Sequence, residues 1–158
     1  MEQAKMVRPK LLRILIYLSF IGSFWNMFVG LSNALSEPSI ERYETFMANV
    51  DQIDDGSPEM EIMREQLSVY ISNINQNIVN FGAVEFMLNA ISLIGVYLMY
   101  KNKRIGFTVY MIVQLLMLGS PIYFGSYSML TVSITIFYAF FTMIFFALYS
   151  SQLKYLEE

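Results

Sequence analysis

The sequence of 158 residues contains no cysteine and no histidine. Without cysteine, no disulfide can stabilise a loop and no thiol–disulfide relay can operate. Without histidine, the commonest acid–base side chain is missing, and haem or zinc would have to bind without their usual ligands. Phosphate-binding glycine loops and nucleophile elbows are absent from the sequence too. We therefore expect no metal, no cofactor and no enzymatic activity.

Charged residues are also scarce, at 15% of the sequence, whereas soluble domains carry about a quarter. Hydrophobic residues make up 56% and aromatic residues 16%. This composition indicates that much of the protein surface contacts lipid instead of water. The length suits a single domain over residues 1–158. We expect membrane lipids as neighbours and no nucleic-acid partner.

Four segments are long and apolar enough to cross the hydrocarbon of a bilayer, which takes about 20 residues. They cover residues 14–35, 77–100, 105–122 and 128–151, and the one charged side chain within them is Glu85. Helices buried in a soluble core are the alternative, but four such runs with one charge disfavour it. The sequence therefore predicts an all-α integral membrane protein, a bundle of four transmembrane helices.

The basic residues are sorted along the chain in a way that predicts orientation. Eight of the ten fall on one side of the membrane if there are four spans: Lys5, Arg8, Lys10, Arg13, Lys101, Lys103, Arg104 and Lys154. The positive-inside rule then places both termini in the cytoplasm and the acidic loop 36–76 outside the cell (inner or plasma) membrane. A cleaved signal peptide is the competing interpretation of the first segment. Its apolar run exceeds the usual 7–15 residues or so of such peptides.

Loop 36–76 shows helical periodicity on both sides of a turn predicted at residues 54–58. Residues 36–38 are the predicted start of the first helix, and Ser57 with Pro58 the start of the second. The apolar positions of the two helices are Ile40, Tyr43, Phe46, Met47, Val50 and Ile53, then Met60, Met63, Leu67, Tyr70, Ile71 and Ile74. The sequence predicts an extracytoplasmic helical hairpin between the first two spans.

Two interpretations of the hairpin stay open at this point. Its apolar faces can simply pack on each other, or part of them can form a docking surface for a protein partner. The candidate docking residues are Tyr43, Phe46, Met47, Met60, Met63 and Tyr70. A calcium site at Asp51, Asp54 and Asp55 is disfavoured, because their spacing does not match an EF-hand loop.

An ionisable residue at membrane depth is costly to bury and points to function. Glu85 is followed at helical spacing by Asn89, and small and polar residues line the first span at spacings of three and four. Small residues let helices approach closely, so these polar stripes should face inward. We expect one polar cluster at membrane depth, formed by Glu85, Asn26, Asn89, Gln114 and Tyr138, with Thr135 at its edge.

Two functions follow from these observations, beside the alternative of an enzyme that would use Glu85 and Tyr138 as acid–base groups on a lipid or other apolar substrate. The first is a non-enzymatic accessory or assembly subunit of a membrane complex, with a protein partner or as a homo-oligomer. In that case the polar cluster only holds the helices together. The second is a small transporter, channel component or ligand-binding membrane protein that uses Glu85. This second function predicts a hydrated cavity that reaches Glu85 from the outer side.

Overall fold

The computed structural model describes residues 9–157, so Lys5 and Arg8 lie outside the described residues. Within this range the chain is all-helical and has no strand, which confirms the predicted all-α class. The six α-helices, followed by a short 3₁₀ helix at Leu153–Tyr155, are α1 (Lys10–Ala34), α2 (Ile40–Asp51), α3 (Pro58–Gln76), α4 (Ile78–Tyr100), α5 (Ile105–Gly125) and α6 (Met129–Ser150).

Four of these helices, α1, α4, α5 and α6, are long and apolar enough to cross a membrane. They match the four predicted segments, with two differences at the ends. Helix α1 begins at Lys10, four residues earlier than predicted, and α5 runs three residues past the predicted end to Gly125. Membrane thickness sets a minimum length for a span, but it does not set where a helix begins and ends.

Helix α5 continues through Pro121 because a side chain compensates for the missing backbone donor. Proline lacks an N–H, so the carbonyl four residues earlier, that of Met117, loses its usual partner. The Ser120 hydroxyl donates to this carbonyl at 3.0 Å. A hydroxyl that satisfies the freed carbonyl allows a proline inside a membrane-spanning helix.

Glycines bring α4 into backbone contact with both of its neighbours. A Cβ at Gly30 of α1 would lie 2.6 Å from the backbone nitrogen of Phe86, and one at Gly82 would lie 2.6 Å from the carbonyl carbon of Asn33. Between α4 and α5, a Cβ at Gly95 would lie 2.9 Å from the carbonyl oxygen of Gly106. Small residues at these crossings therefore set the distances from α1 to α4 and from α4 to α5.

The short connection between α4 and α5 is held by backbone hydrogen bonds. The Lys103 amide donates to the Leu98 carbonyl at 2.8 Å, and Asn102 adopts a positive φ of 63°. The Arg104 amide donates to the Glu157 carbonyl at 2.8 Å, which attaches the end of the chain to this turn. The basic residues 101, 103 and 104 therefore lie together at one end of the four long helices.

Helices α2 and α3 pack against each other and form what we call the α2–α3 pair. The Ser57 hydroxyl accepts from the Met60 amide, as predicted, and Gly56 has the positive φ of 73° that the turn requires. Helix α2 starts later than predicted, because Ser39 caps it by accepting from the Arg42 amide.

Contacts between the two helices are both polar and apolar. The hydroxyls of Tyr43 and Ser68 lie 2.7 Å apart, and Met47 is buried. The Arg64 guanidinium donates to Asp51 at 2.6 Å, and this hydrogen bond lowers the pKa of the Asp51 carboxyl. The apolar faces of the pair thus pack at least partly on each other.

Helix α3 also contacts the junction of α5 and α6, through hydrogen bonds described below. We call this end of the long helices the α3 end, and the opposite end, with residues 101–104, the basic end. Asp54 and Asp55 at the tip of the pair accept from the backbone amides of Gly56 and Ser57. Among the described residues there is no group of acidic side chains that could hold a metal ion.

A matched pair of substitutions in α1 tests the glycine contacts. Gly30→Ala is expected to destabilise the protein by about 1–3 kcal/mol, because its Cβ would press on the α4 backbone. Gly22→Ala meets no atom within 4 Å and should be neutral or slightly stabilising, since alanine favours the helix. Thermal unfolding in detergent measures both. Equal melting temperatures for the two variants would contradict this packing.

Candidate functional site

Helix α6 stands away from the other long helices over its middle part. Its buried residues, Thr131 and Tyr149, lie near its two ends, while Tyr138 between them is 56% exposed. Helix α1 packs along α4 and contacts α6 only slightly. The result is a cleft between α6 on one side and α1, α4 and α5 on the other.

Two adjoining cavities of about 230 and 280 Å³ form this cleft. They share the side chains of Asn26, Gln114, Met117, Tyr138 and Thr142. The basic-end cavity is further lined by Leu18, Ser19, Gly22, Ser23, Asn89, Tyr110, Met111, Phe141 and Phe145. The α3-end cavity is further lined by Tyr70, Phe81, Glu85, Leu118, Ser120 and Pro121.

The carboxyl group of Glu85 lies on the wall of the α3-end cavity, half-buried. The Ser120 hydroxyl also lies 2.8 Å from the Glu85 Oε1, so its single proton is shared between this oxygen and the Met117 carbonyl. The side-chain amide of Asn89 donates to the backbone carbonyl of Glu85, also at 2.8 Å. Ser120 thus contacts both the carboxyl and the carbonyl freed by Pro121, a double role that sequence reasoning missed. The available signal was a serine directly before a proline in an apolar helix.

Most of the predicted polar cluster lines the cleft. Asn26, Glu85, Gln114 and Tyr138 lie around the α3-end cavity, and Asn89 lies on the basic-end cavity. Thr135 lines neither cavity, and its hydroxyl donates to the carbonyl of Thr131 in its own helix. Asn26 and Glu85 share the wall of the α3-end cavity.

Hydroxyl groups connect α1, α4 and α5 next to the cleft. The hydroxyls of Ser23 and Ser92 lie 2.8 Å apart, and both residues are buried. The Gln114 side-chain amide reaches the Ser92 hydroxyl at 3.4 Å. Gln114 therefore belongs both to the cleft wall and to the polar contact between the helices.

Two buried tyrosines close the cleft at the basic end. Tyr149 of α6 donates to the Ser19 hydroxyl at 2.9 Å, and Ser19 donates to the Tyr110 hydroxyl at 3.1 Å. The tyrosine ring centroids are 5.6 Å apart, and both rings belong to the apolar core. Sequence reasoning missed this group, because tyrosines near the ends of spans ordinarily lie in the membrane interface.

Helix α3 covers the other end of the cleft. The Tyr70 ring packs against Gly125 and lines the same cavity as Glu85. Asn73 donates to the Gly125 carbonyl at 2.8 Å, and the Gln66 side chain accepts from the Leu130 amide at 2.9 Å. Burial, with smaller contributions from Tyr138 and Glu85, raises the pKa of Tyr70. A neutral tyrosine therefore faces the cavity.

The candidate docking residues of the α2–α3 pair occupy several different environments. Met47 is buried, and Met60 is partly buried. Tyr43 binds Ser68, and Tyr70 faces the cleft. Phe46 and Met63 are the most accessible of the six, at 37% and 36% exposure. Their role as a docking surface stays a prediction.

A pair of cysteine variants tests whether water enters the cleft. Thr142 lines both cavities, whereas its neighbour Met143 is 67% exposed on the outside of α6 at the same depth. In lipid bilayers, Thr142→Cys should react with a water-soluble methanethiosulfonate at least about tenfold faster than Met143→Cys. Water can reach the cleft beside the partly exposed Tyr70 ring at the α3 end, and a thiolate forms only in contact with water. Equal rates would mean that the cleft is no wetter than the lipid-facing surface.

The comparisons with known proteins do not assign this cleft to a family. No protein-family model, curated protein or solved structure matches the chain. The function of the cleft therefore has to be inferred from the side chains that line it.

Proposed function

We propose that this chain is a non-enzymatic, multi-pass membrane protein that binds a small amphipathic molecule in the cleft beside Glu85. The observation that carries the proposal is a carboxyl group on the wall of a cavity within membrane-spanning helices. Such a group is expensive to keep in a membrane and is retained mainly for function. Ligand pockets are mostly apolar with a few placed polar groups, which fits this lining.

The depth and opening of the cleft support entry from the bilayer. Glu85 follows the first residue of α4, Ile78, by seven positions, which corresponds to about 10 Å along the helix. Tyr70 covers the α3 end, and Tyr110 with Tyr149 closes the basic end. The remaining side of the cleft lies between α1 and α6, which contact each other little. A lipid-soluble molecule can enter there without first crossing water.

The proposal includes an orientation for a bundle of four transmembrane helices. The basic connection 101–104 and the described basic residues of both termini lie at the basic end, which the positive-inside rule assigns to the cytoplasm. The α2–α3 pair, rich in acidic residues, then forms an extracytoplasmic hairpin over the outer mouth of the cleft.

Cysteine labelling tests this orientation directly, because the natural sequence has no cysteine. A membrane-impermeant maleimide is expected to label Glu59→Cys in intact cells, since Glu59 is exposed on α3. Lys103→Cys, exposed at the basic end, should be labelled only after the membrane is permeabilised. The opposite labelling pattern would invert the proposed orientation.

A cavity-filling variant tests ligand binding. Gly22 lines the basic-end cavity with nothing within 4 Å of its Cβ position, so Gly22→Leu should occupy the cleft without straining the helices. Native mass spectra of gently extracted wild-type protein should show a retained small molecule that Gly22→Leu loses. Gly119→Leu is the control, since Gly119 is equally unhindered but lies outside the cleft. Equal retention by both variants would refute binding in the cleft.

One observation favours a second function, that of an accessory subunit. Helix α6 buries a much smaller share of its residues than the other long helices. Its uncovered apolar side chains include Ile136, Phe137, Phe140 and Met143, a surface that a helix of another membrane protein could cover. In the same mass spectra, this function predicts a protein bound at fixed stoichiometry, with no retained small molecule and no response to Gly22→Leu.

A further inference from the structure

We infer that the molecule bound in the cleft is a cationic amphiphile, one with a protonated amine at one end and an apolar chain at the other. This inference rests on the proposed ligand-binding function and specifies its substrate class. It follows from the single carboxyl group in the cleft, from the aromatic rings beside Glu85, and from the apolar side chains that line the adjoining cavity.

The charge of the cleft has one sign. Glu85 carries the single carboxyl group among the described residues that line the two cavities, and none of these lining residues is basic. A buried carboxylate needs a partner of opposite charge or must become neutral. The Ser120 hydroxyl supplies one hydrogen bond but no charge. A protonated amine would supply both, whereas an anionic headgroup would be repelled.

The side chains around Glu85 suit an ammonium group in their hydrogen-bonding capacity as well as in charge. An ammonium has three donors and no acceptor. Asn26 and Gln114, whose side-chain amides each contain an oxygen acceptor, line the α3-end cavity together with Glu85. Phe81 and Tyr138 line the same cavity, and aromatic rings stabilise a nearby cation through their negative faces.

The adjoining basic-end cavity suits the rest of an amphiphile. Its apolar lining includes Leu18, Met111, Phe141 and Phe145, and it shares Met117 with the α3-end cavity. Methionine and aromatic side chains adapt to apolar groups of varied shape. An amine placed at Glu85 would therefore have apolar side chains within reach of its chain toward the basic end.

The test compares three probes of equal chain length: octylamine, octanol and octanoate. Each is radiolabelled and added at pH 7 to the full-length protein in nanodiscs of zwitterionic lipid, with empty nanodiscs as the partition blank. Octylamine should bind saturably and more tightly than octanol, and octanoate should bind least. Glu85→Gln should weaken octylamine binding by at least about tenfold, the effect of losing a charged hydrogen bond, while octanol binding stays unchanged.

Two further variants make the result specific. Phe81→Leu should weaken octylamine binding by about threefold or more while leaving octanol binding intact, because only the cation uses the ring face. Glu65→Gln, an exposed position on α3 outside the cleft, should change neither. Retained octanol binding by Glu85→Gln shows that the variant is folded.

The possible failures are distinguishable from one another. Equal binding of octanol and octylamine, or no effect of Glu85→Gln, would overturn the amine inference. If Gly22→Leu still loses the retained small molecule in that case, the proposed ligand-binding function stands. No saturable binding of any probe would also overturn the amine inference. The native mass spectra of the Gly22→Leu and Gly119→Leu variants would then test ligand binding in the cleft independently of these three probes.

Discussion

The close approach of α1 and α5 to the backbone of α4 is the constraint on which the rest of the structure depends. Lipid gives apolar helices little reason to associate, so packing has to come from close contact at small residues. Gly30 and Gly82 supply that contact on one side of α4, and Gly95 with Gly106 on the other. Helix α6 has no glycine and carries large aromatic residues along its length, so it cannot approach in the same way.

This difference in packing produces the cleft. Three helices lie close together, and the fourth is attached mainly near its ends, by Tyr149 at the basic end and by the Gln66 contact to Leu130 at the α3 end. The space between these attachments is lined by polar groups that would be costly against lipid. The side chains of Asn26 in α1 and Tyr138 in α6 are exposed because they face this cleft.

Polar residues at membrane depth therefore serve two purposes in this chain. The hydroxyls of Ser23 and Ser92 pair with each other between helices, and Ser19 pairs with Tyr110 and Tyr149, so these hydrogen bonds act as structural contacts beside the cleft. Glu85 has a structural partner in Ser120 but also lies on an accessible cavity wall. Glu85 is thus placed to contact a ligand as well as to hold helices together.

The sequence by itself determined the all-helical class, the four apolar helices and the turn at residues 54–58. These features depend on local properties: hydrophobic length, N-capping hydroxyls, proline and glycine. It also predicted most residues of the polar cluster, because helical spacing places Glu85 and Asn89 on one face. Helix ends were less predictable. The start of α2 depended on whether Ser36 or Ser39 caps the helix. The end of α5 depended on whether the Ser120 hydroxyl could replace the backbone donor that Pro121 lacks.

Only the tertiary structure decided that these polar residues surround a cleft instead of a sealed contact. The cleft depends on the distances between the helices, and these distances are set by the glycines that contact a neighbouring backbone. Gly22 and Gly119 contact none. The partners of Tyr70, Tyr110 and Tyr149 come from other helices too, so their roles in closing the cleft were not visible in the residues around them. Periodicity assigns a residue to a face of its helix, but the helix it meets there is a property of the whole fold.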